Sequence, residues 1–283
     1  MNEEFLRKFH YYGGIIGIIS SICVVFIFWF FKEIRLFQYE LIMFLGLSRI
    51  IIDVSIIWPN ENDKVCKIKG FISTIFSKFS WCFVTYLSYI SFIFGVKKKF
   101  IDNNKNLLRF LLFFISLITS GTFGFILFKL NAIGKVNEQC HINNYDGKKV
   151  SFYFDLFFII INFYLLVKIY ILISKLKKIG KGKELRKMNC IIQLFPIFKS
   201  ITSIISILET IDTSKIVNEH YYRIIIYFFS GFFTTMLFIL YIFLPHVRVS
   251  LEEFFVKICC GKTDIENFSE ENLNDMIEES NEI

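Results

Sequence analysis

The chain has 283 residues, of which 54% are hydrophobic and 19% aromatic, and it carries a formal net charge of +7. A soluble domain holds roughly 45–50% apolar residues, so this composition argues against soluble folding. A bilayer core of about 30 Å takes about 20 apolar residues per helix, and runs of that length recur along the chain, separated by short polar stretches. One membrane domain is expected to use nearly all of it.

Residues 1–10, MNEEFLRKFH, are short and acidic, and no small-residue cleavage site follows, so the first span is expected to act as its own signal. Apolar windows then run Tyr11 to Phe31, Tyr39 to Trp58, Cys66 to Val96, Leu107 to Leu130, Ser151 to Leu176, Met188 to Thr210 and Tyr222 to Leu244. The predicted fold is an all-α membrane protein, a bundle of seven transmembrane helices over residues 11–246. The third window is interrupted by Lys67, Lys69 and Lys78. Sixteen lysines and arginines fall on one side of this seven-span arrangement and nine on the other. Because basic residues stay on the cytoplasmic side, the N-terminus is expected outside and the C-terminus in the cytoplasm, at the plasma membrane.

Cys66 at the top of the third span and Cys140 in the loop after the fourth lie on the same external side, where they can form a disulfide that persists; two unpaired thiols are the alternative. Cys23, Cys82 and Cys190 fall within apolar spans and read as small hydrophobes.

After Pro245 the segment RVSLEEFFVKICC places Leu251, Phe254, Phe255 and Ile258 on one helical stripe, so residues 247–260 are expected to form an amphipathic helix on the inner membrane surface. Cys259 and Cys260 follow it directly, a juxtamembrane position suited to S-palmitoylation; two free cytosolic thiols are the plainer reading. Residues 261–283 hold eight acidic side chains from Asp264 onward and are expected to be a disordered cytoplasmic tail.

Ionisable residues inside a bilayer are costly and default to functional candidates. Arg49 and Asp53 are spaced i, i+4 and can pair with each other. Lys78 and Lys199 fall near mid-span, while Asp155 and Glu209 fall near external helix ends. If all six face one cavity they suit an anionic or zwitterionic ligand; otherwise they are interhelical ion pairs. Gly70, Ser73, Ser77, Ser80, Ser88, Ser91 and Gly95 give the third helix a small-residue stripe, which places it at the centre of the bundle. Pro196 should kink the sixth helix.

Lys97, Lys98 and Lys99, with Lys177, Lys178, Lys181, Lys183, Arg186 and Lys187, make the cytoplasmic loops basic. They suit anionic lipids and a cytoplasmic protein partner; no nucleic acid is expected. The four histidines lie at or beyond helix ends, which argues against a buried metal site. The seventh span has Arg223 but no lysine for a retinal Schiff base, and no three-helix repeat is visible. Neither a cofactor nor an enzymatic activity is expected.

Together, Cys66 with Cys140, FSWCFVTYLSYISFIF leading to KKK, the basic loop before the sixth span, and LYIFLPHVRVSLEEFF after the seventh resemble a G-protein-coupled receptor, most nearly the cyclic-AMP receptor-like family. The resemblance covers roughly residues 11–260. IFGVKKK stands where the rhodopsin-like class has D-R-Y, and FLPHV where it has N-P-x-x-Y. The resemblance implies an extracellular ligand, small, anionic and cyclic-nucleotide-like, and a heterotrimeric G protein as partner. The alternative expectation is a seven-helix transporter or channel for a small polar solute, lined by Arg49, Asp53, Lys78 and Lys199.

Overall fold

The computed structural model describes the backbone of residues 3–34, 36–58, 62–136, 139–179, 183–211 and 233–260. Within these, the side chains of 3–7, 9–10, 33, 56, 94–99, 102, 135–136, 139, 141, 176–179, 183–189, 205–211 and 256–260 lie outside the description. Almost every described residue is helical.

Helix α1 (Glu3–Phe30) is followed by a 3-10 turn, Lys32–Ile34, and by α2 (Phe37–Ile57). Along α1, Ile16, Ile19, Phe26 and Trp29 are exposed, while Gly17, Ser20, Ser21, Val24 and Ile27 are buried. The outward face is thus the more apolar one, the reverse of a soluble helix, and it suits contact with lipid.

Helix α3 is one 67-residue helical run, Asp63–Lys129, over a stretch that the sequence pattern divides into two spans and a loop. It is not one straight rod. Tyr86 donates a hydrogen bond to the Leu108 carbonyl at 3.3 Å, Phe83 and Phe113 lie 5.8 Å apart, and Gly124 lies against Ile75 and Phe71. Each step toward the end of the first arm meets a step back along the second, so the chain reverses between Tyr86 and Leu108 while keeping helical pairing. Lys97, Lys98 and Lys99 fall in this reversal, on helical backbone rather than in an irregular loop.

Helix α3 packs against α2, α4, α5 and both strands of a small hairpin, which accords with the central place its serine stripe suggested. Asn62 caps its start by accepting from the Val65 amide at 2.8 Å. Its end closes with Asn131 at φ 45°, the Asn131 amide on Phe128 and the Ala132 amide on Leu127. That is a left-handed residue capping the last carbonyls, a conformation asparagine tolerates.

Strands β1 (Ile133–Val136) and β2 (Gln139–Ile142) then pair antiparallel, with Ile133 opposite Ile142 and Lys135 opposite Cys140. This hairpin departs from the all-α expectation. Nothing in its sequence alternates strongly enough to announce strands; it is held by burial of Ala132 and Ile133 against Phe123, Leu127 and Phe154. The Cys66–Cys140 disulfide forms, with Cα atoms 5.2 Å apart, and pins β2 to the first turn of α3. Gly70 takes the close approach, because a Cβ there would sit 2.9 Å from the Cys140 carbonyl oxygen.

Helix α4 (Tyr145–Ile179) begins six residues before the apolar window suggests. Asn144 caps it, accepting from the Gly147 amide and donating to the Leu130 carbonyl, both at 2.8 Å. Tyr153, Leu156, Phe157, Ile160, Phe163 and Tyr164 face outward, while Asp155, Phe158, Asn162 and Leu165 face inward. Then come α5 (Lys183–Ile211), with Pro196 inside it, a described α6 segment (Phe233–Ile242), and α7 (Pro245–Cys260). Proline opens α7, where its missing amide costs nothing, and α7 turns 72° from α6. Phe254 of α7 meets Phe30 and Phe31 edge-on at 5.5 and 5.7 Å.

Among the described residues, Tyr11–Phe30, Asn103–Lys129 and Tyr145–Lys175 are long and apolar enough to cross a membrane, and the bent pair α6–α7 makes a fourth if it counts as one span. That is consistent with a membrane protein. The other helical segments carry charge: Glu40, Arg49 and Asp53 on α2, Lys78 on the first arm of α3, and Lys199 on α5.

Candidate functional site

Four charged residues of the poorly apolar segments, Arg49, Asp53, Lys78 and Lys199, lie inside the bundle. Arg49 and Asp53 occupy successive turns of α2, and the Arg49 guanidinium donates to the Asp53 carboxylate at 3.0 Å with both side chains buried. Thr234 of α6 closes the arrangement: its hydroxyl accepts from Arg49 Nε at 3.0 Å and donates to Asp53 Oδ2 at 3.1 Å. A buried ion pair is tolerable when its remaining hydrogen-bonding capacity is met, and Thr234 meets part of it from a second helix. Gly17 of α1 makes the room, since a Cβ there would collide with Asp53 Oδ2.

A second pair joins α3 to α4. The Lys78 ammonium donates to Asp155 at 2.7 Å and to the Ser151 hydroxyl at 2.8 Å. Ser151 and Asp155 are one turn apart on α4, so both reach the same ammonium. The ring centroids of Phe123 and Phe154 lie 5.0 and 5.3 Å from Lys78 Nζ, within cation–π range. Asn162, two turns further along α4, bonds Thr85 at 2.6 Å and Ser88 at 3.3 Å. Position by position, the first arm of α3 and helix α4 therefore run in the same direction.

Lys199 of α5 differs from both. Its side chain is 6% exposed, and Nζ lies 5.6 Å from the Trp81 ring centroid and 5.8 Å from that of Phe233. Among the described residues no carboxylate stands within ion-pair distance of it. Arg49, Asp155 and Lys78 are all within electrostatic reach.

The three cations are linked by rings. Phe233 is shared by Arg49, at 5.5 Å, and Lys199. Trp81 stacks on Phe158 at 6.0 Å, and Phe158 meets Phe154, which touches Lys78. Three cations and two carboxylates from α2, α3, α4 and α5 thus form one connected buried group, and among the described residues it has a positive charge in excess. Such a group can bind an anion or hold a bundle rigid; it contains no nucleophile–base pair of the kind that starts covalent chemistry.

Five of the six intramembrane candidates meet here. The sixth, Glu209, falls on α5, but its side chain lies outside the described residues. Thr234, Ser151, Trp81 and Phe233 complete the group and went unread in the sequence. Ser151 alone carried a signal, its one-turn spacing from Asp155.

The basic residues expected to face a cytoplasmic partner gather toward one end. Helix α3 starts at the disulfide and reverses near Lys97, Lys98 and Lys99; α4 starts at the hairpin and ends past Lys177 and Lys178; α5 starts at Lys183, Arg186 and Lys187. These residues therefore lie toward the end of the bundle away from Cys66–Cys140. The side chains of all eight, and Lys181 altogether, lie outside the described residues, as do the side chains of Cys259 and Cys260 at the end of α7. An unanticipated ion pair, Glu40 with Arg109, ties the start of α2 to the second arm of α3 near the same end.

No protein-family model matches the chain, and no curated protein sequence matches it.

Proposed function

We propose that the chain is a seven-helix receptor of the plasma membrane, with its N-terminus, the Cys66–Cys140 disulfide and the hairpin outside, and its basic helix ends and C-terminus in the cytoplasm. An extracellular anionic ligand biases the positions of α5 and α6, and a heterotrimeric G protein reads the change at the basic end. The observation that supports this is the location of the charges. The segments too polar to count as apolar spans carry Arg49, Asp53, Lys78 and Lys199 buried within the bundle, which supports reading α2, the first arm of α3 and α5 as fit to cross the bilayer beside their apolar neighbours.

The mechanism is a population shift: a ligand favours the active arrangement only as far as it binds that arrangement better. Lys97–Lys99 and the Lys177–Lys187 region form the G-protein-facing surface and also contact anionic lipid. The apolar stripe of α7 rests on the inner leaflet, and Cys259 and Cys260 are positioned there for acylation. The resemblance to cyclic-AMP receptor-like proteins supports a small anionic ligand.

The test is nucleotide exchange on co-expressed heterotrimeric G proteins, screened against extracellular anions. Ligand-driven or constitutive exchange is expected, with lower ligand potency for Lys199→Ala. Its absence with every G protein, together with solute uptake by the purified chain in proteoliposomes, would make the protein a transporter instead.

A further inference from the structure

Arg49 and Lys78 are occupied. Each holds a carboxylate within 3.0 Å and a hydroxyl besides, so an incoming anion would have to compete with a bound partner at either. At Lys199 there is no such competitor among the described residues; the ammonium meets the rings of Trp81 and Phe233 and no described carboxylate. The residue as a whole is only 6% exposed, and its ammonium carries three N–H donors. Aromatic faces attract a cation but do not supply the acceptor oxygens its hydrogens lack, and a buried charge without a counterion bears its full desolvation cost.

We propose that Lys199 is the seat for the acid group of a singly charged organic anion whose flat apolar body lies against Trp81 and Phe233. This rests on the reading of the buried group as a ligand pocket and narrows it to one side chain and one charge class. Among the described residues, the single charge follows from the balance of Arg49, Lys78 and Lys199 against Asp53 and Asp155: one negative charge neutralises that excess, and a second would stand uncompensated beside the two described carboxylates. The flat body follows from the two rings, which offer stacking area that a small hydrated ion does not use. Trp81 is fully buried here, so admitting such a molecule requires α5 to move from α3. Pro196, one turn from Lys199, deprives the Ile192 carbonyl of its helical partner and makes α5 the helix that yields there.

The experiment uses the full chain in lipid nanodiscs with Trp29→Phe and Trp58→Phe, so that Trp81 is the sole tryptophan emitter. The probes are 4-bromobenzoate, its uncharged amide and sodium bromide. Saturable quenching of Trp81 by 4-bromobenzoate at millimolar concentration is expected, retained in Lys199→Arg and lost in Lys199→Met, with no saturable quenching by the amide. Lys199→Met should fold, since it removes an uncompensated charge, and its melting temperature without probe should equal or exceed that of the parent. Equal quenching by the amide, saturable quenching by bromide that Lys199→Met removes, quenching by bromobenzoate that survives Lys199→Met, or no saturable quenching at all would each overturn the site. Binding without any G-protein exchange leaves the anion site standing and removes the receptor reading; ligand-driven exchange indifferent to Lys199→Met does the opposite.

Discussion

Lys78 and Asp155 stand 77 residues apart in the chain and 2.7 Å apart in the bundle, joining the disulfide-anchored arm of α3 to α4 through largely buried side chains. Removing one member of a buried pair strands the other, at a cost of about 3–5 kcal/mol, whereas replacing both by apolar side chains is often neutral. Lys78→Met and Asp155→Leu should each lower the melting temperature of the purified protein. The double variant should recover most of the loss, and a double variant as unstable as the worse single one would show that the pair is not a unit.

Thr234 is the neutral member of the other group, bridging Arg49 and Asp53 from α6. Thr234→Val keeps the shape and removes both hydrogen bonds to charged groups, each worth about 1.5–3 kcal/mol. A clear loss of stability is expected in thermal unfolding. Thr234→Ser, which keeps the hydroxyl, should restore most of it.

Two glycines predict opposite outcomes for one substitution. A Cβ on Gly17 would come within 3.0 Å of Asp53 Cγ and closer still to its oxygen, while one on Gly121 would meet nothing within 4 Å. Gly17→Ala should destabilise by about 1–3 kcal/mol through overpacking against the carboxylate. Gly121→Ala should be neutral or stabilising by up to about 1 kcal/mol, the helix-propensity difference between the two residues. Equal melting temperatures for the two variants would contradict the close approach of α1 to Asp53.

The Cys66–Cys140 bond closes a 74-residue separation, for which the chain-entropy account assigns about 4 kcal/mol. Reduction, or Cys66→Ala with Cys140→Ala, should lower thermal stability by up to that amount. Proteolysis after reduction should begin in the hairpin, since β2 loses its tether to α3, and a protease pattern unchanged by reductant would argue that Ala132 and Ile133 alone hold the hairpin down.

Much of the site was legible because charge in an apolar window is conspicuous: Arg49, Asp53, Lys78, Asp155 and Lys199 stand out in the sequence, and the i, i+4 spacing of Arg49 and Asp53 allowed their pairing without requiring it. The Cys66–Cys140 bond was legible from sidedness. The hairpin was not, because Ile133–Val136 and Gln139–Ile142 are short and take their conformation from burial against Phe123 and Phe154. Nor was the helical continuity of α3 past Lys97, Lys98 and Lys99, since a run of lysines reads as a loop whether or not its backbone stays helical.

Composition and hydropathy by themselves determined that this is a helical chain suited to a membrane, because satisfying backbone groups away from water leaves few other choices. They also determined which side chains would be expensive to bury. Only the tertiary structure decided how that expense is distributed: Asp155 came to Lys78, Thr234 joined Arg49 and Asp53, and Lys199 was left facing Trp81 and Phe233. A pairing between helices depends on their rotation and depth, which a periodic apolar pattern leaves open, and it is settled by packing rather than by local preference.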